Sequence, residues 1–448
     1  MNVVANALAA KGQAHLRSSA LDGPSAARND PKMGQGVAQK AQPLDEAVAA
    51  LSPAAFGFLE RLVAEPSVLG REAGAQELVA LELERLGFRV ERIPVPEEIG
   101  GRPGAGRPLV PYGGRDVVAG RRGGAAGPTL LINGHVNMIP AGEEALWSTP
   151  AFEPVRRDGW LVGRGAGDMK SGFAMALLAL EAALETDPAV REAPLAFVSV
   201  IEEECTGNGT LAAAHAGFAA DEVVIPECTG LELLLDGIGI LWAEIEVPGR
   251  AAHAHLPGAG VNAVEAALPV LAALKELEDE LNDGSSARCA TTVGTFHAGD
   301  WRSSIPALAR VGVRVGFPLG MTPGEAEERV VAAIDRAARR DPWLSEAPPR
   351  VTFEGFRAEP YTLARDHELV TALSSAHADV FGSSPRIWAG TATTDARVYL
   401  NQFGVPALCY GPRARDIHGV DEAVELQSVV DGARVLARFL CARAERSR

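Results

Sequence analysis

Apolar residues first fall into a regular rhythm at Leu44. Three- and four-residue spacing through "LDEAVAALSPAAFGFLERLVAEPS" and "GREAGAQELVALELERLGFRVERIPV" predicts two helices, the second running into an alternating strand. Residues 1–43 are rich in Ala, Gly, Ser, Asn and Gln without such periodicity and are expected to be a disordered extension. Residues 99–126, rich in Gly, Pro and Arg, are expected to form a loop or excursion. Beyond them "PTLLINGH" reads as a buried strand, "GDMKSGFAMALLALEAAL" as a helix after a Gly-rich turn, and "APLAFVSVIEEE" and "DEVVIPE" as further strands. Strands alternating with helices predict an α/β fold with a mostly parallel sheet. Functional residues in such sheets gather at the carboxyl ends of the strands, where His135, Glu203, Glu204 and Glu227 stand.

From Gly237 the texture changes. The strand pattern "ILWAEIEVPGRAAHA", the helix pattern "VNAVEAALPVLAALKELEDELN", two Gly-containing strands and the helix "TPGEAEERVVAAIDRAARR" predict a small α+β domain. After Arg350 the first texture returns in "DHELVTALSSAHADVFG", "VPALCYGP" and "ELQSVVDGARVLARFLCARA". The predicted organisation is an α/β domain in two segments, 44–236 and 351–448, with an α+β domain, 237–350, inserted between them.

A chain of 448 residues has room for both domains and a sizeable core. Its net charge of -16 and pI near 5.1 exclude the basic footprint a nucleic-acid partner requires. No uninterrupted apolar run approaches the roughly 18 residues of a membrane span, and Lys11 and Arg17 break the layout of a secretory leader. Five scattered cysteines fit reduced thiols better than a disulfide framework. A cytoplasmic protein with no membrane or nucleic-acid partner is expected.

The candidate chemistry lies at four sequence-distant places: His135, Asp168, the run Glu202–Glu203–Glu204 with Glu227 soon after, and His418. A lone buried histidine is ordinarily a satisfied core residue, and a lone glutamate at a strand end a solvated cap. Three glutamates directly after "LAFVSVI" fit neither, because a buried carboxylate is costly unless paired or bound to metal. A mixed His and carboxylate set without paired cysteines suits zinc, cobalt or manganese used in hydrolysis. Five such donors allow two ions roughly 3.5–4 Å apart that share a carboxylate, and a remaining glutamate can shuttle the proton.

The chain from about residue 50 onward resembles the zinc-dependent exopeptidase and amidohydrolase family that includes aminoacylases, glutamate carboxypeptidases, acetylornithine deacetylase and succinyl-diaminopimelate desuccinylase. The stretches that carry the resemblance are "PSVLGREAGAQELVALELERLGFRVE", "NGHVNMIP", "GRGAGDMKSG", "EEECTGNGT", "GRAAHAHLPGAGVNAVEAA", "GTATTDARVYL" and "YGPRARDIHGVDEAV". The resemblance implies that Asp168 bridges two divalent ions, with His135 and Glu227 on one and Glu204 and His418 on the other. It implies Glu203 as general base, and the insertion as a lid through which a homodimer forms. It also implies that His253 reaches a partner subunit's site to steady the oxyanion, and that Arg314 grips the carboxylate of a small-molecule substrate, an N-acyl amino acid or short peptide. The acidic residue usual two positions before that arginine is here Gly312.

One further position departs from the family pattern. Where the family carries Asp beside its ligand histidine, this chain has Asn137. An amide can accept the imidazole N–H but brings no charge, and losing such a partner costs about 10- to 100-fold in metal affinity or activity. The expectation is an active hydrolase with a weakened second metal site. The alternatives are an unusual hydrolysis or acyl transfer in specialised metabolism, or a homologue that binds without turnover. His215, His255 and His297 are read as structural, as are Cys205 and Cys228, because neighbouring residues in a strand point opposite ways.

Overall fold

The computed structural model describes residues 31–124 and 129–446. Most of the extension expected over 1–43 lies outside the described residues, but regular structure begins earlier than predicted, in the helix Pro31–Ala64. Met33, Gln35, Ala38, Gln39 and Lys40 are good helix formers, yet they carry no apolar stripe for periodicity to detect. The chain divides after Gln42, and the unit Pro43–Arg448 carries everything described below. Within that helix Gln42–Ala64, with a hydropathy of 1.4, is long and apolar enough by composition to cross a membrane. Its side chains Leu44, Val48, Phe58, Leu59, Leu62 and Val63 are instead buried in the main core.

The main sheet orders its strands as Arg89–Pro94, Asp116–Arg122, Leu195–Val200, Leu130–His135, Glu222–Ile225, Ala407–Cys409, Leu233–Gly237 and Tyr361–Thr362, with Ile387–Ala389 also pairing with Leu233–Gly237. The four central strands run parallel and the outer ones add antiparallel pairs. Strands Leu130–His135, Leu195–Val200 and Glu222–Ile225 are buried at every position, as expected of a sheet covered on both faces. Helix Ser171–Thr186 is buried along almost its whole length, and helix Leu426–Arg446 packs against it. Phe173 from that helix meets Phe197 from the sheet with ring centroids 5.7 Å apart, and each such buried ring contributes roughly 1.5–3 kcal/mol.

Strand Asp116–Arg122 corrects the expectation of a loop over 99–126. It lies between the edge strand and the parallel core, pairing residue for residue with both neighbours. The Gly and Arg that hid it have physical roles there. A Cβ on Gly120 would come within 3.1 Å of Phe88, while Arg121 and Arg122 are only partly buried at the strand's end.

The insertion forms a separate antiparallel sheet, ordered Thr291–Ala298, Leu308–Phe317, Gly239–Pro248, Arg350–Ala358. Helices Ala263–Asn282 and Pro323–Arg340 pack with this sheet. Pro323–Arg340 is started by a capping box between Thr322 and Glu325. Its apolar core, including Ile240, Leu277, Val313 and Ile334, is distinct from that of the main sheet. The fold class is the predicted one, an α/β domain with a mostly parallel central sheet interrupted by an α+β domain, but the insertion's sheet includes Arg350–Ala358 and so runs past the boundary expected at 350. A small third sheet, Ala414–Arg415, Ala423–Glu425, Trp160–Val162 and Val155–Arg157, carries the loop that holds His418.

Candidate metal centre

Parallel register sets the site. His135 lies level with Val200, so the imidazole at the end of one strand stands beside the glutamate run that follows the next. Glu227 follows strand Glu222–Ile225 on the other side. Helix Ser171–Thr186 then closes in through Gly172, where a Cβ would meet the Pro226 carbonyl oxygen at 2.0 Å. Only glycine allows the helix start, and Asp168 before it, to approach the segment that carries Glu227.

Asp168 sits between two imidazoles. Its Oδ1 is 3.2 Å from His135 Nε2 and its Oδ2 is 3.4 Å from His418 Nε2. His418 Nε2 is also 3.1 Å from the Glu204 carboxylate, and His135 Nε2 is 3.7 Å from both Glu203 and Glu227. The five predicted donors and Glu203 thus share one cluster, mostly buried, with His418 the most exposed.

The His135 tautomer is determined by its other nitrogen. Nδ1 lies 2.9 Å from the backbone carbonyl oxygen of Asn137. A carbonyl only accepts, so Nδ1 carries a proton and Nε2 is the nitrogen that faces the cluster. This corrects the expectation that the Asn137 side chain orients the histidine. Its Oδ1 instead accepts the backbone N–H of Glu203 at 3.2 Å. The turn after His135 brings the main chain of residue 137, rather than its amide, to the imidazole.

The glutamate run divides its labour. Glu202, fully buried, holds left-handed backbone (φ 63°), which costs a residue with a side chain about 1–2 kcal/mol. Its carboxylate is held by Arg115 (2.6 Å), the Tyr112 hydroxyl (2.7 Å) and Thr206 (2.7 Å). Arg115 also reaches Glu72 at 2.5 Å. Glu202 is therefore an anchor, and only Glu203 and Glu204 face the cluster. Asp168 has an anchor of its own that was not recognised in the sequence. Glu422 accepts the backbone N–H groups of Gly167 and Asp168, each at 2.9 Å, and is itself held by buried Arg164 at 2.6 Å. The only signal in the sequence was the acidic pair Asp421–Glu422 just after His418.

The crowding of carboxylates and imidazoles shifts their titration. Burial raises the carboxyl pKa of Glu203 well above its ordinary value and that of Glu227 to about 8. Hydrogen bonds to Asp168 and Glu204 push His418 up to about 11. Burial would raise Asp168, but hydrogen bonds from His135 and His418 overcome it and hold the acid below the usual carboxylate range. His135 is raised despite burial, by Asp168 and the surrounding carboxylates. Carboxylates crowded this closely need positive charge. Without ions they take up protons, whereas divalent cations would satisfy imidazole lone pairs and carboxylates together. Donor spacings of 3.1–3.7 Å suit ions with bonds of roughly 2.0–2.2 Å. The residues present fit such ions.

Two expectations concerned the insertion. His253 is exposed and its ring lies 4.4 Å from that of His255. Among the described residues no hydrogen bond or ion pair joins it to the cluster. Arg314 lies mid-strand opposite Thr292 and Trp242, partly buried, with its pKa lowered by burial. Cys205 is buried with Sγ 3.8 Å from the Glu202 carbonyl, as expected of a packing residue. Cys228 is different. The strand ends at Ile225, so alternation no longer governs it, and its sulfur lies with Asp168 and Glu227, the three donor atoms within 4.8 Å of one another.

A mixed sheet that gathers imidazoles and carboxylates at its carboxyl edge, interrupted by an α+β insertion, defines a metal-binding hydrolase of amide or peptide bonds. The model of peptidase family M20/M25/M40 matches residues 131–442, and the chain belongs to that family. The succinyl-diaminopimelate desuccinylase of Methylobacillus flagellatus is 28% identical over 383 residues, covering 82% of this chain and 93% of its own. The di-peptidase Dug1p of Saccharomyces cerevisiae shares the fold with a TM-score of 0.74 at 17% identity, over 90% of this chain and 98% of that one. Human carnosine dipeptidase 1 gives a TM-score of 0.73 at 16% identity, over 90% and 100%.

Proposed function

We propose that the chain hydrolyses the amide bond of an N-acyl amino acid or short peptide bearing a free carboxylate. Two divalent ions would be shared by Asp168, one with His135 and Glu227, the other with Glu204 and His418. The observation that carries this reading is the placement of Asp168, whose two oxygens face two different imidazoles. Zinc suits the donor set best, with cobalt or manganese as alternatives. When bound, the ions supply Lewis-acid polarisation of the scissile carbonyl and an acidified water.

Glu203 takes the proton from the attacking water and returns it to the leaving nitrogen. Its burial suits the task, since desolvation raises the carboxyl pKa and makes Glu203 a stronger base than an exposed carboxylate. Asn137 Oδ1 holds the backbone of Glu203, and the Glu202–Arg115 pair holds the turn before it. Arg314 offers a guanidinium fork to the substrate carboxylate. His253 of a second subunit would donate to the oxyanion. In support of a homodimer through the insertion, its edge strand Thr291–Ala298 exposes Val293 and Phe296, an apolar edge that a second copy would cover. Five free cysteines agree with a cytoplasmic setting.

A screen of metal-replete protein against N-succinyl and other N-acyl amino acids and dipeptides, with bound metal counted on the same sample, tests the reading. Glu203→Ala is expected to lower turnover by about 10²- to 10⁴-fold with metal content unchanged. Metal-free protein whose activity and stability ignore chelators would overturn it.

A further inference from the structure

We propose that Cys228 is a fourth protein donor to the ion held by His135, Asp168 and Glu227, making that half of the centre a mixed nitrogen, oxygen and sulfur site. The proposal rests on the metal-centre reading above. Sharp local turns aim the sulfur. Glu227 N–H donates to the Ile225 carbonyl at 2.9 Å and Thr229 N–H to the Glu227 carbonyl at 2.7 Å, so the chain coils directly after the strand and consecutive side chains need not diverge. The Cys228 sulfur, an Asp168 oxygen and a Glu227 oxygen lie within 4.8 Å of one another. His135 Nε2 stands 3.2 Å from Asp168 and 3.7 Å from Glu227.

A tetrahedral ion with bonds of about 2.0–2.3 Å holds its donors roughly 3.3–3.8 Å apart, so the Cys228, Asp168 and Glu227 atoms, now within 4.8 Å of one another, would draw together around it. An independent observation marks the space between them as a ligand site. The Glu227 side chain is only 10% exposed, and among the described residues its carboxylate makes no hydrogen bond. A nearly buried carboxylate held only by an ion pair to His135 at 3.7 Å is costly, and a cation seated between Glu227, Asp168 and His135 would hold it directly. The thiol gives its proton to solvent as it coordinates. One thiolate among imidazole and carboxylates biases the site toward softer ions, cadmium, zinc and cobalt over manganese. Cys205 is the internal control, because it too follows a proposed ligand but its sulfur faces the Glu202 carbonyl.

The test uses the metal-free full-length chain titrated with Co²⁺. Visible ligand-field bands report bound cobalt, and a strong near-ultraviolet band reports a thiolate on it. The expected result is that the near-ultraviolet band is present in the parent and in Cys205→Ser but lost in Cys228→Ser, with the ligand-field bands kept in all three. Bound cobalt without that band in the parent, or a band that survives Cys228→Ser, overturns the proposal while leaving the metal centre standing. A parent that binds no cobalt overturns both. Should Cys228→Ser fail to fold, alkylation of the parent by iodoacetamide, read by peptide mass, decides instead. Cys228 is expected to be modified in the metal-free protein and protected after Zn²⁺ loading, and equal labelling of the two overturns the proposal.

Discussion

Asn137 acts through two atoms with separate duties. Its carbonyl oxygen fixes His135 whatever the side chain, so an amide at this position leaves the imidazole's orientation intact. Its Oδ1 holds the backbone of Glu203. Asn137→Ala therefore leaves a buried N–H without a partner, a cost of about 1–3 kcal/mol. The expected outcome is a lower melting temperature and a lower kcat with bound metal near the parent's. Loss of metal in step with activity would show that residue 137 supports the ligands rather than the base. Asn137→Asp keeps the acceptor and adds a charge, and a charge-assisted bond is roughly twice as strong as a neutral one. Because the added negative charge stands beside the side chains that would hold the ions, this variant is expected to bind Zn²⁺ more tightly, and calorimetric titration checks it.

Arg115 holds the turn that carries Glu203 and Glu204 from a different strand-end loop. It joins Glu202, whose side chain is fully buried, to Glu72, which is 2% exposed. Arg115→Ala strands both acids, and breaking such a buried pair costs about 3–5 kcal/mol. Thermal unfolding and metal counting should show the variant losing stability and metal together, because the turn it frees carries Glu204. Helix Glu368–Phe381 carries a second element-level device. His377 packs edge-on against Tyr410, with Nδ1 2.8 Å from its hydroxyl. Burial, assisted by Arg413, lowers its pKa in the folded chain. The unfolded chain, with a value near 6.5, then binds the proton first, so this contribution is intact above about pH 6.5 and is lost as the pH falls through the folded value. In His377→Gln the urea midpoint is expected to fall less between pH 7 and pH 5 than in the parent. These elements also show what could be read from the chain. Leu130–His135 and Leu195–Val200 announced themselves because strands buried on both faces are continuous apolar runs. Asp116–Arg122 did not, because its pairing with Leu195–Val200 is non-local and its Gly and Arg are poor strand signals. The glutamates of the proposed site were legible as costly carboxylates after apolar strands, but anchoring by Glu202 and Glu422 depends on Arg115 and Arg164, whose proximity only the folded chain creates.

At the scale of the molecule, the proposed metal donors and base all lie on the α/β domain and the small third sheet beside it, while His253 lies on the insertion and is joined to that cluster by no hydrogen bond or ion pair among the described residues. If a second subunit supplies the oxyanion donor, each site of a dimer mixes Glu203 of one chain with His253 of the other. That arrangement has a consequence no arrangement within one chain shares. Glu203→Ala and His253→Ala homodimers are each expected to be nearly inactive. In a mixed dimer, one site carries both lesions and the other carries neither. Random exchange of equal amounts makes half the dimers mixed, each with one intact site of two, so activity should return to about a quarter of the parent's for a symmetric two-fold dimer. Donation within one chain predicts no recovery, because every site then keeps a lesion. Replacing the exposed edge residues Val293 and Phe296 by lysine is expected to abolish the recovery and to shift the sedimentation coefficient to that of a monomer, since like charges on a shared strand edge oppose pairing.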